Sequence, residues 1–237
     1  MNNQIEKNRE LLYLKKEDKI LLFIGRPTKQ KGIFDLLEAM HIVLKHCPNT
    51  KLVIIGDGNE VSMKELINKI SPLASAVILT GHVNKTTLYK WLSIANVGVI
   101  SSYYEQCTYA GIEMMMFGLP LVVSDGIGLK NMFIDNRNAK IVRIGNRKQA
   151  KKYQNRLANA IIELLQSSEL CLTLSYGARK TYELNYTNKK MRNNYNFFRA
   201  TNLKVFDKIS LLLNSRPLKT IFQRKVCKSE LHADFFL

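Results

Sequence analysis

The stretch KILLFIGRPTKQKG, residues 19–32, decides the fold. Ile20 to Ile24 is an unbroken apolar run stopped by Gly25. A run that short, without polar alternation, fits a strand buried on both faces. A polar turn follows, bounded by Gly25 and Gly32 and carrying Arg26, Lys29 and Lys31. From Gly32 to Lys45 the period changes: Ile33, Leu36, Leu37, Met40, Val43 and Leu44 recur at helical spacing, and Pro48 closes the segment. Strand, glycine-bounded turn and helix make one βα unit.

The unit repeats along the chain. Strands are predicted at 52–55, 76–79, 97–100, 119–123 and 140–142, and helices near 60–70, 86–94, 110–117 and 129–134. Such alternation implies an α/β fold, a Rossmann-like parallel sheet with helices on both faces. Sheets of this kind take ligands beyond the carboxyl ends of their strands, where strand order reverses. Gly25, Gly56-Asp57-Gly58, Gly81, Ser101-Ser102 and Gly126-Ile127-Gly128 all fall at those ends. Beyond residue 148 the pattern is helical, over about 148–166, 169–184 and 188–200, with Thr187 as the cap of the last. Residues 203–237 hold an amphipathic patch (Val205, Phe206, Ile209, Leu211 to Leu213), then Pro217 and a basic, irregular end. The expected division is 1–18 as the end of an inter-domain linker, 19–202 as a ligand-binding domain and 203–237 as a basic tail.

Composition narrows the partners. Hydrophobic residues make up 46% and charged residues 23%, ordinary for a globular domain. Lys and Arg number 36 against 19 acids, a net charge of +17 that favours anionic partners. A solvated basic face is the plain expectation, and peripheral contact with an anionic membrane surface is the second. No aromatic-interleaved basic motif argues for nucleic acid, which is not expected as a partner. Cys47, Cys107, Cys171 and Cys227 lie far apart, and neither they nor the histidines show metal-ligand spacing. Reduced thiols, a cytoplasmic location and no metal or other cofactor are expected. The polar N-terminus does not read as a secretory signal.

Two elements carry the chemistry. Opening a helix behind the turn 25–32 aims free backbone amides and the positive end of the helix dipole at the turn. Arg26 can fork onto two phosphate oxygens and Lys31 adds a point charge, an arrangement suited to a diphosphate. It is not a Walker A loop, because no Gly-Lys-Ser/Thr follows at the required spacing. The second element is EQCTYAGIE, residues 105–113. Glu105 falls in a loop after a strand and Glu113 in the opening turns of a helix. Carboxylates accept bidentate hydrogen bonds from vicinal hydroxyls, such as those of ribose and hexose rings.

Together the residues Gly25-Arg26, Lys31-Gly32, Ile55 to Gly58, Gly81-His82-Val83, Ser102, Glu105, Glu113 and Gly118-Leu119-Pro120 resemble the C-terminal domain of glycosyltransferase family four, the glycosyl transferases group 1 set of retaining GT-B enzymes. The resemblance runs from about Lys19 to Tyr195. It implies a nucleoside-diphosphate sugar as donor substrate. Arg26 and Lys31 would bind its diphosphate, and with Glu105, which contacts the transferred sugar, they form the expected catalytic set. Gly25, Gly56, Gly58, Gly81, His82, Val83, Thr108, Tyr109 and Ala110 would surround the donor, and Glu113 would bind the ribose.

The resemblance also implies departures. Cys107-Thr108 stands where the family has Phe-Gly beside the donor sugar, and Asn131 stands where a Glu often follows Gly128-Leu129. The family's acceptor-binding N-terminal domain, with its reaction-centre histidine, is missing from this chain. The expected function is sugar transfer to a glycan, lipid or other acceptor, with this chain as the donor-binding half. The alternative is a non-catalytic nucleotide-sugar-binding subunit, or a fragment, that needs a separate acceptor domain.

Overall fold

The computed structural model describes residues 2–12, 14–146 and 149–193. The chain divides into two units, residues 1–186 and 187–237. In the first, six strands form one wholly parallel sheet: β1 (Lys19–Ile24), β2 (Thr50–Ile55), β3 (Val77–Gly81), β4 (Val97–Ile100), β5 (Leu121–Ser124) and β6 (Lys140–Val142). Their spatial order is β3-β2-β1-β4-β5-β6, so the winding reverses between β1 and β4. The helices are α1 (Asn2–Leu11), α2 (Ile33–His46), α3 (Glu60–Ile70), α4 (Lys85–Ile94), α5 (Tyr109–Met116), α6 (Ala150–Gln166) and α7 (Ser168–Asn185).

The apolar run 20–24 behaves as its composition requires. Leu21 and Phe23 enter one core cluster with α2 and α6, while Ile20 and Leu22 enter the other with Trp91 of α4 and Met114 of α5. All four side chains are essentially sealed from solvent. β2 divides in the same way, Leu52 and Ile54 on one face and Val53 and Ile55 on the other. Burying each such side chain contributes about 1.5–3 kcal/mol, so this doubly covered sheet anchors the loops at its ends.

At three places the structure adds to the expected pattern or departs from it. Residues 2–11 form a helix that packs on α4, with Ile5 and Leu12 against the second core cluster and Asn8 Nδ2 donating to Ser93 Oγ at 3.1 Å. Arg9 closes the following turn by donating to the carbonyls of Lys15 and Asp18 at 2.7 and 2.6 Å. The strand expected from residue 119 starts at Leu121, because Pro120 offers only its carbonyl, which Gly98 N–H reaches at 2.9 Å. The helix expected over 129–134 is a single 3₁₀ turn, Leu129–Asn131. Asn138 stops it there, accepting from Ile134 N–H at 2.7 Å and donating to the Met132 carbonyl at 3.0 Å.

In the second unit, Thr187 opens a helical turn, its Oγ1 accepting from Lys190 N–H at 3.3 Å. The rest of the helix expected to residue 200, and all of 203–237, lie outside the described residues, as do Arg147 and Lys148. Among the described residues no single helix is long and apolar enough to cross a membrane.

Candidate functional site

The loops after β1 and β4, the two strands that flank the winding reversal, are laced to each other. Tyr103 N–H donates to the Gln30 carbonyl at 2.9 Å, and Ser101 Oγ donates to the Lys31 carbonyl at 2.9 Å. Gly32 caps α2 with φ 66°, and a Cβ there would stand 2.1 Å from the Ser101 carbonyl oxygen. Only glycine permits both the left-handed backbone and the contact. Gly128 plays the same part behind the second loop: its φ is 89°, and a Cβ would stand 1.7 Å from the Glu105 carbonyl oxygen. The backbone of Glu105 is thereby held from behind, with its N–H on the Ile127 carbonyl at 2.9 Å.

Between the loops lies a cavity of about 650 Å³, lined by Arg26, Lys29, Lys31, Glu105, Gln106 and Cys107 among others. Lys31 Nζ sits 2.6 Å from Glu105 Oε1, and Ser102 Oγ donates to the same oxygen at 2.8 Å. Glu105 is buried, whereas Arg26 is exposed and forms no ion pair among the described residues. Thr108 caps α5, its Oγ1 accepting from Gly111 N–H at 3.1 Å, so its side chain holds the helix start. Tyr109 is exposed at the first turn of that helix, next to the half-buried Ala110.

The remaining expected residues continue along the same edge of the sheet. Gly25 N–H reaches the Ile55 carbonyl and Gly56 N–H the Gly81 carbonyl, each at 2.9 Å. A Cβ on Gly56 would stand 2.3 Å from the Gly25 carbonyl, and one on Gly58 would stand 2.4 Å from Ser62 Oγ. Gly56 thus lets the loops after β1 and β2 approach closely, and Gly58 leaves room for the Ser62 side chain at the start of α3. His82 is exposed and Val83 packs partly into the core. None of Gly81, His82, Val83 and Glu113 lines the 650 Å³ cavity.

Glu113 is half-buried on α5, and its pKa is raised by that burial, with Lys85 as the opposing influence. Lys85, the first residue of α4, also lies 5.5 Å from the centre of the Tyr89 ring. Its pKa is raised first by its hydrogen bond to Tyr89 and, to a smaller extent, by the charge of Glu113. Lys85 is a charge acting on Glu113 that sequence reasoning missed, since the two stand on different helices and no spacing signals the coupling. Ser102 was visible as a strand-end residue, but its bond to Glu105 was not.

A larger cavity, about 840 Å³, lies at the other end of the sheet, lined by Lys19, Val97, Pro120, Phe117 and Leu172 among others. Lys19, Val97 and Pro120 mark the amino ends of β1, β4 and β5, away from where doubly wound sheets bind ligands. Its lining holds no carboxylate. The smaller cavity, with cations and a buried carboxylate at the winding reversal, is the candidate site. It can hold an anion against Arg26 and Lys31 and accept hydroxyl hydrogen bonds at Glu105.

Known proteins share this architecture. An uncharacterized glycosyltransferase of Methanocaldococcus jannaschii is 40% identical over 113 residues, 48% of this chain and 29% of the relative. The alpha-monoglucosyldiacylglycerol synthase of Acholeplasma laidlawii is 28% identical over 155 residues, 60% of this chain and 37% of the relative. The matched segments thus span roughly a third of these curated relatives. Among solved structures, Anabaena HepE in complex with UDP-glucose superposes with a TM-score of 0.74 at 17% identity, over 85% of this chain and 53% of that one. The C-terminal domain of a glycosyl transferase group 1 family protein from Francisella tularensis gives 0.65 at 19% identity, over 77% of this chain and 92% of the domain. These structures share the Rossmann-like parallel fold. The family model described as glycosyl transferases group 1 matches residues 4–181, and the chain belongs to that family.

Proposed function

We propose that the chain is the donor-binding half of a retaining glycosyltransferase that takes its sugar from a nucleoside diphosphate. The observation that carries this reading is the convergence of Arg26, Lys31 and Glu105 on one cavity at the winding reversal of the sheet. Arg26 and Lys31 hold the diphosphate, and the amides at the start of α5 face its bridging region. Glu105 accepts from hydroxyls of the transferred sugar. Glu113 binds the ribose, and the backbone of Gly81 to Val83 receives the base. HepE, crystallised with UDP-glucose, supports a uridine donor as the first to test.

In the proposed reaction the acceptor hydroxyl attacks the anomeric carbon on the face from which the diphosphate leaves. The bond from that carbon to the phosphate oxygen breaks, and negative charge builds on the departing nucleotide. Arg26, Lys31 and the α5 amides stabilise that charge, the largest electrostatic contribution such a site can make. In this reading the acceptor hydroxyl is presented by a second, acceptor-binding domain. Calorimetry on the folded chain with UDP, GDP and their sugars tests the reading. Measurable binding of at least one nucleoside diphosphate is expected; no heat with any of them would sink it.

A further inference from the structure

Lys31 and Glu105 have opposite tasks in the proposed site, yet in the free protein they occupy each other. Lys31 Nζ donates to Glu105 Oε1 at 2.6 Å, and Ser102 Oγ donates to that same oxygen at 2.8 Å. Lys31 is only one-quarter exposed, and Glu105 and Ser102 are buried. Lys31 and Glu105 both line the 650 Å³ cavity, so the cation meant for a phosphate is neutralised from within the site.

We propose that Glu105 is a specificity-determining residue: by holding Lys31 in the free site, it selects a sugar-bearing nucleoside diphosphate over the bare one. The proposal rests on the donor-site reading above. A diphosphate that draws Lys31 to itself strips Glu105 of its charged partner and leaves it with the Ser102 hydroxyl. A buried carboxylate that loses its cation is destabilised, because it can no longer be compensated by water. A bare nucleoside diphosphate offers no donor in exchange. A hexose offers hydroxyl protons to Glu105 and replaces what Lys31 withdrew. The same exchange disfavours retention of the nucleoside diphosphate once the sugar has gone, since Lys31 then returns to Glu105.

Calorimetric titration of UDP, UDP-glucose and inorganic pyrophosphate into the chain and its Glu105→Gln variant tests the proposal. Glutamine keeps the shape and an oxygen for Ser102 while releasing Lys31. The expected result is that Glu105→Gln binds UDP and pyrophosphate about fivefold tighter than the wild type, the upper range for a partly exposed ion pair. Its preference for UDP-glucose over UDP falls by at least that factor. The gain must disappear in the Lys31→Gln background. A gain that persists there reflects mere removal of a negative charge and overturns the proposal. So does a Glu105→Gln protein that binds UDP no tighter than wild type while wild-type binding is measurable. Folded wild type that binds neither the uridine ligands nor GDP and its sugars overturns the donor-site reading, and this proposal with it. Glu105→Ala, checked by thermal melting, repeats the UDP and pyrophosphate arms should Glu105→Gln not fold.

Discussion

Tyr103 Oη donates to Asp35 Oδ2 at 2.8 Å, and Gln154 Nε2 donates to the other oxygen of that carboxylate at 3.0 Å. Asp35 lies in the first turn of α2, Tyr103 in the loop after β4 and Gln154 on α6, so one carboxylate ties together three elements far apart in sequence. Two residues beyond Tyr103 is Glu105, and four before Asp35 is Lys31. The Asp35 bridge therefore sets the spacing between the two charged groups of the candidate site without lining their cavity.

Asp35→Ala is expected to lower stability by about 1–3 kcal/mol, because it removes the carboxylate that accepts from two partly buried donors. Tyr103→Phe removes one of these bonds and should cost about 0.5–1.5 kcal/mol. Both variants should also weaken UDP binding although neither residue is assigned a ligand contact. Urea unfolding gives the first quantity and calorimetry the second; undiminished UDP affinity in folded Asp35→Ala would show that the bridge is purely structural.

The cations and the ribose carboxylate should separate under different ligands. Arg26→Ala and Lys31→Ala are expected to weaken UDP binding by about 1.5–3 kcal/mol each, the worth of a charged hydrogen bond, and to leave uridine nearly unaffected. Glu113→Ala should weaken both, since both carry the ribose. Unchanged uridine affinity in Glu113→Ala would remove that residue from the assignment.

Gly32→Ala tests the lacing of the two loops. A non-glycine residue held at positive φ costs about 1–3 kcal/mol, and here the new Cβ also collides with the Ser101 carbonyl. A lower melting temperature and a displaced α2 start, with loss of UDP binding, are expected. An unshifted melting curve would contradict the contact.

Glu113 makes stability depend on pH in a defined direction. Burial raises its pKa, so folding favours the protonated carboxyl. That contribution is complete at pH below its unfolded value and is lost as pH rises through the folded one. Glu113→Gln should therefore melt above wild type at neutral pH, and the gap should close as pH falls through the carboxylate range. A gap that stays constant from neutral pH down through that range would contradict burial as the cause.

The isolated chain is expected to transfer sugar only at negligible rates. Holding an acceptor hydroxyl beside the anomeric carbon lowers a barrier by roughly 7–11 kcal/mol, and the matches to curated relatives span about a third of their length. Incubation with labelled UDP-sugars and a panel of glycan, lipid and peptide acceptors checks this. Turnover at ordinary enzyme rates without a second protein would mean that the site is complete.

The layer architecture was legible because it rests on short-range rules. A run such as Ile20 to Ile24 has no polar face to leave in water, so it must be covered on both sides, and the helical period of α2 says which of its faces does the covering. Gly25, Gly56 and Gly81 marked the strand ends for the same local reason. The first helix was not legible. Its segment NNQIEKNREL offers only Ile5 and the exposed Leu11 as apolar residues, and it takes its order from packing on α4. Residue types and their order along the chain thus determined the α/β class, the loops that carry the chemistry and the identity of Arg26, Lys31, Glu105 and Glu113 as candidates. Only the tertiary structure decided that Lys31 pairs with Glu105, that Ser102 steadies the same oxygen and that Lys85 stands near Glu113. Local sequence sets backbone preference over a few residues. The pairing of Lys31 with Glu105 joins positions 74 apart, and it exists only because the winding of the sheet brings two strand ends side by side.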